Sequence, residues 1–211
     1  MEIMEPFAAR LLATALPLAL LAVLAARVAY VAARRRPGAP PGAPRLAATR
    51  ALLAAYGVGL CWWTLVIANP NRDGSRHANL VPLREIARSL TDREQGYGLL
   101  NFWGNIVAFV PVGVLALLAL RRDRRRAWLV ALAAGTALSA ILEIAQYGVG
   151  RSADVDDVIL NAIGVGFGVA IGLVARRLSS RGRALEVPAR EVRRRSQLAH
   201  PASPAETGAA Q

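Results

Sequence analysis

Five blocks of apolar residues, each about as long as a bilayer core is thick, constrain this chain more than any motif does. They run over 11–33, 51–68, 102–120, 127–149 and 158–174. About 20 residues of α-helix cross the roughly 30 Å of hydrocarbon, so runs of this length without a clear amphipathic period are read as spans. With 55% hydrophobic residues and a positive mean hydropathy of +0.35, the composition excludes a soluble domain. The expected fold is an all-α, polytopic membrane helix bundle with about five transmembrane helices. The first block also has the length of a cleaved signal peptide. Glu2 and Glu5 before it, and Arg34, Arg35 and Arg36 directly after it, favour a retained span with a stop-transfer signal.

Charge then orients the bundle. All 26 basic residues are arginine, the formal net charge is +12, and the arginines sit in short runs beside the apolar blocks. That placement points to membrane topology and away from a nucleic-acid partner. The segment 34–50, the loop 121–126 and the tail from residue 175 together hold 18 arginines, against 7 in the opposite loops and at the N-terminus. Basic residues concentrate in short cytoplasmic loops, so the expectation is an N-terminus outside and a C-terminus inside a multi-pass protein of the cell membrane. The lone cysteine, Cys61, lies in an apolar block and supports neither an internal disulfide nor a cysteine metal site. No cofactor and no metal are expected.

The organisation that follows is an N-terminal span with a basic loop over 1–49, a four-helix core over 50–175 and a basic tail over 176–211. Gly182 to Gln211, with Pro188, Pro201, Pro204 and many Arg, Ser and Ala residues, reads as disordered. In the long loop after the second span, Leu83, Ile86, Ala87 and Leu90 recur at helical spacing after Pro82, with Arg84, Glu85 and Arg88 between them. Two readings stay open for this short helix: it lies on the outer membrane surface, or it packs on the bundle. The third span contains Asn105 and Pro111; the proline is expected to kink it and to matter for helix packing.

Chemistry in such a chain falls to polar groups in or beside the membrane, where their placement is costly. The candidate cluster is Asn79, Asn105, Glu143, Gln146, Arg151, Asp154, Asp157 and Asn161. Glu143 and Gln146, three apart, share a helix face, and Asp154, Asp157, Asn161, Gly164 and Gly168 follow one helical stripe. With the orientation above, every one of these groups lies at the outer end of its helix or in an outer loop. Plainer roles compete. Gly164, Gly168 and Gly172 form small-xxx-small repeats of the kind that pack helices. The acidic residues from Asp154 to Asp157 suit the N-terminus of a helix simply as caps. For Asp156, off the stripe, capping is taken as the whole role, and its replacement by Asn is expected to be nearly silent. A carboxyl at Glu143, below the interface, must be protonated, paired or open to water, and so is weighted toward function.

Four stretches give the chain a resemblance to the VanZ-like family of bacterial membrane proteins. They are Asn-Leu-Val-Pro-Leu at 79–83, Asn-Ile-Val-Ala-Phe-Val-Pro-Val-Gly at 105–113, Glu-Ile-Ala-Gln at 143–146, and Gly-Arg-Ser-Ala-Asp-Val-Asp-Asp-Val-Ile-Leu-Asn-Ala-Ile-Gly at 150–164. The family usually has an aromatic residue where Ala153 stands and Phe where Leu83 stands. What the resemblance implies is a role at the cell envelope, since the founding member is associated with low-level resistance to the glycopeptide teicoplanin.

Three functional classes follow. The leading one is a binding protein whose outward polar pocket takes a membrane lipid headgroup or a lipid-linked cell-wall precursor, with a contribution to glycopeptide tolerance. In it Asp154 and Asp157 face a cationic group and Arg151 faces phosphate. The second is an intramembrane enzyme on such a lipid, with Glu143 as general acid or base and Asp157 as its electrostatic partner. Against it, His77 and His200 lie outside the cluster and no nucleophile motif is present. A small transporter is third, disfavoured by few spans and by polar groups at one membrane face.

Overall fold

The computed structural model describes residues 4–67, 78–91, 96–120 and 126–199. Within them the order is α1 (Met4–Arg34), α2 (Ala43–Trp62), a π-helical turn (Trp63–Ile67), β1 (Ala78–Asn79), α3 (Arg84–Thr91), α4 (Gly96–Ala119), α5 (Ala127–Gly148), β2 (Ala153–Asp154) and α6 (Val155–Ala199). Five helical stretches are long and apolar enough to cross a membrane: Pro17–Arg34, Ala43–Val66, Asn101–Ala119, Ala127–Gly148 and Val155–Leu178. The all-α bundle of about five spans is therefore found, with Pro17 and Pro111 carried inside α1 and α4.

Two compact units divide the chain, Met1–Leu173 and Val174–Gln211. In the second unit, one expectation is corrected. Residues 182–199, read from composition as disordered, are helical as far as Ala199, and residues 200–211 lie outside the described part. Scarcity of apolar residues limits what a segment can bury, but it does not stop Ala, Arg, Leu and Glu from extending a helix that is already nucleated.

In the first unit, α4, α5 and α6 hold the core. Phe109, Val112 and Leu117 of α4 meet Ala127, Ala131 and Leu142 of α5 and Val165 and Val169 of α6, with Leu60 of α2 at the edge. Small residues let the backbones approach. A Cβ at Gly164 would run into the Ile106 carbonyl, one at Gly168 into the Val110 carbonyl, and one at Gly113 into the Val165 carbonyl. Gly172 is different, because there a Cβ would meet mainly the Leu117 side chain. Close approach of this kind is how membrane helices associate when lipid removes the hydrophobic drive between them.

Side chains tie α2 to α4. Tyr56 Oη donates to the Ala108 carbonyl at 2.8 Å, and Arg50 Nε donates to the Ala119 carbonyl at 3.1 Å, capping an otherwise orphaned carbonyl at the end of α4. The opposite faces of these helices stay apolar and exposed, as with Trp103 and Val107 on α4, Ile141 and Ile144 on α5, and Ile163, Phe167 and Ile171 on α6. Hydrocarbon is the solvent for which such faces are suited.

Candidate functional site: a polar network at one end of the bundle

The end of α5 sets the site's geometry. Gly150 takes a left-handed φ of 89°, and the Arg151 amide folds back to the Gln146 carbonyl at 2.9 Å, closing the helix and carrying the chain toward β2. There β2 pairs in parallel with β1, Ala78 beside Ala153 and Asn79 beside Asp154. This two-residue bridge brings the stretch after the second span against the start of α6. The Asn79 side chain serves both strands: its Nδ2 donates to Asp154 Oδ1 at 3.1 Å, and its Oδ1 accepts from the Val81 amide at 3.3 Å.

Asp154 precedes α6 and caps it. Its Oδ1 accepts from the Asp156 amide at 2.8 Å, a helix-terminal donor that would otherwise lack a partner. Burial pushes the Asp154 carboxyl above its ordinary range, opposed by the Asp156 amide and by Asn79. The Asp154 amide in turn donates to Glu143 Oε2 at 3.1 Å. Glu143 is buried in α5, and its other oxygen faces Gln146. With the Gln146 amide turned to satisfy both neighbours, its nitrogen donates to Glu143 Oε1 at 2.9 Å and its oxygen accepts from Arg151 Nη1 at 3.0 Å. Arg151 Nη1 also reaches the Thr64 carbonyl in the π-helical turn, at 2.9 Å. Arg151 therefore communicates with Glu143 through an amide and is anchored on the second span.

The expected single stripe on α6 divides between two neighbours. Asp157 faces α4, where Asn105 Nδ2 at 2.5 Å and Asn101 Nδ2 at 3.2 Å both donate to its Oδ1. One turn deeper Asn161 faces α5, donating to the Ser139 hydroxyl at 2.9 Å. Both members of that pair are buried, and the Asn161 Oδ1 has no hydrogen-bond partner among the described residues. Gly164 and Gly168, farther along, lie against α4, close to the Ile106 and Val110 carbonyls.

Asp156 departs furthest from expectation. It is 1% exposed, and its carboxylate accepts from three amides of a distant segment: Leu83 at 2.5 Å, Glu85 at 2.7 Å and Ile86 at 3.2 Å. The first turn of α3 needs such an acceptor, because Leu83, which stands at its cap position, offers none. Asp156 is thus a cap as expected, but one supplied to α3. Sequence reasoning also passed over Asn101, Ser139 and Thr64. Asn101 stands four residues before Asn105, and Ser139 four before Glu143, so helical spacing carried a signal for both.

Among the described residues no group of three or more His, Cys, Asp or Glu side chains is placed to hold a metal ion. The network instead gathers four carboxylates (Glu143, Asp154, Asp156 and Asp157) with one guanidinium, Arg151, and a set of amide donors. Chemically it can orient a charged group at the membrane boundary.

No curated protein and no solved structure matches this chain. Every residue of the network falls between 53 and 176, the stretch that matches the VanZ/LLP1 family model, and the chain belongs to that family.

Proposed function

We propose that the protein binds the charged headgroup of a membrane lipid or a lipid-linked cell-wall precursor at this polar end of the bundle, and that this end faces outward. The observation that carries the reading is the hydrogen-bonded network of Asn79, Asp154, Glu143, Gln146 and Arg151 at one end of apolar spans, with the Asp157 carboxylate held separately by Asn101 and Asn105 at the same end of α6. Placing such groups at a membrane boundary is expensive, and the acidic excess suits an ammonium-bearing ligand, with Arg151 available to a phosphate. The arginine distribution supports the outward direction. Glycopeptide tolerance fits this reading, as a consequence of occupying or shielding a cell-wall precursor. An intramembrane enzyme is less well supported. Ser139, the hydroxyl one turn from Glu143, is fully buried and engaged by Asn161, and so is poorly placed as a nucleophile.

Glu143→Gln and Asp157→Asn test the reading, because each keeps size and most hydrogen bonding while removing an ionisable group. In a strain deleted for the native copy, either variant at normal membrane levels should fail to restore teicoplanin susceptibility to its native value. Full complementation by both would leave the network a purely structural device.

A further inference from the structure

The segment from Leu80 to Leu90 combines a tethered backbone with an uncovered apolar face. Leu80, Val81, Leu83 and Leu90 are all exposed, Leu80 at 77%. Leu83, Ala87 and Leu90, spaced four and three apart, form one stripe along α3, whereas Glu85, Ile86 and Ser89 form its more covered side. Arg88 lies beside the apolar stripe, exposed and paired only loosely with Glu85 at 3.5 Å. The depth of this face is constrained. Asp156 lies in the first turn of the fifth span, at residues Val155–Leu178, and its carboxylate holds the amides of Leu83, Glu85 and Ile86. α3 also packs on α4, whose own uncovered Trp103 and Val107 belong to the span Asn101–Ala119. An apolar face fastened to the end of one span and packed on another lies at the height where hydrocarbon gives way to headgroups.

We infer that the Leu80–Leu90 segment inserts its apolar side into the bilayer interface, with Asp156 as the clamp that sets its depth. Phospholipid is the occupant that fits, because the face continues the lipid-facing surface of the bundle and carries arginines that suit phosphate at its polar edge. The inference is independent of any ligand at the polar network. It assigns Asp156 a mechanical role and separates the acid that holds the interfacial segment from the acids proposed for binding.

Spin labels read this directly. The full chain with Cys61→Ala is reconstituted in vesicles of phosphatidylcholine and phosphatidylglycerol, and nitroxides are attached singly at Leu83→Cys, Leu90→Cys and Arg88→Cys. Collision rates with oxygen, which partitions into lipid, are compared with those of a water-soluble nickel chelate. The oxygen-to-nickel ratio should be several-fold higher at positions 83 and 90 than at 88. Equal ratios at all three would overturn the inference by placing the face in water. Immobile labels shielded from both reagents at 83 and 90 would overturn it by showing that protein covers the face. Asp156→Asn, which weakens the clamp, should lower the ratio at position 90; an unchanged ratio in the folded variant would remove Asp156 from the account. Should that variant not fold, the three labels in the native background still decide whether the segment is inserted.

Discussion

At the scale of single residues, Asp156 separates what an acid does for structure from what it offers a ligand. Three backbone amides depend on it, and they are left without their acceptor when it is lost. Asp156→Ala should therefore cost on the order of 2–4 kcal/mol, seen as a lower midpoint for thermal unfolding of the detergent-purified protein. Asp154 should behave in the opposite sense. Burial raises its carboxyl above the ordinary range, so folding favours the protonated form. The stability this confers is complete below the unfolded pKa, about 4, and is lost as pH rises through the folded value. Asp154→Asn keeps the oxygen that caps the Asp156 amide and removes the disfavoured charge. It should raise the unfolding midpoint at neutral pH, and the gain should vanish at pH about 4. A lower midpoint at neutral pH would mean that the hydrogen bonds to Asn79 and Asp156 outweigh burial. That Glu143 and Gln146 share a helix face was legible from their spacing of three. The role of Asp156 was not, since its partners lie some 70 residues away. The signal available was a negative one: α3 begins after Leu83, a residue that cannot cap it.

Among the elements, α4 and α6 approach closely where glycines leave room. The carbonyls of Ile106 and Val110 occupy the space that a side chain at Gly164 or Gly168 would need. Gly164→Ala should push the two helices apart and cost about 1–3 kcal/mol, measured as loss of monodisperse protein on heating. Gly172→Ala should be milder, since the Leu117 side chain can move where a backbone carbonyl cannot. These glycines were readable as packing elements from their four-residue repeat. Which helix they meet was not, because a repeat on one helix names no partner. The helical stretch to Ala199 shows the reverse failure, a segment whose local propensity outvoted a composition that suggested disorder.

For the whole molecule, orientation decides which compartment the network serves. A single cysteine at Ser152, which is exposed in the loop between α5 and α6, should react with a membrane-impermeant maleimide added to intact cells carrying Cys61→Ala. One at Ala39, in the basic turn after α1, should react only after permeabilisation. The reverse pattern would move the network, and the function proposed for it, to the cytoplasmic face. The distribution of arginines made this testable from sequence alone, whereas the meeting of Asn79, Glu143, Arg151 and Asp154 in one network required the fold.

The clamp between Asp156 and α3 also bears on how the protein is made. Leu83 is synthesised 73 residues before the carboxylate that satisfies its amide. As spans enter the bilayer in order, the segment around α3 waits, with its first turn uncapped, until the final span begins to insert. Asn79 and Glu143 wait likewise for Asp154. A chain arrested before Val155 should therefore expose the 78–91 segment to protease at sites the finished protein protects. Arrival of the fifth span is thus the step that supplies the Asp156 cap to α3.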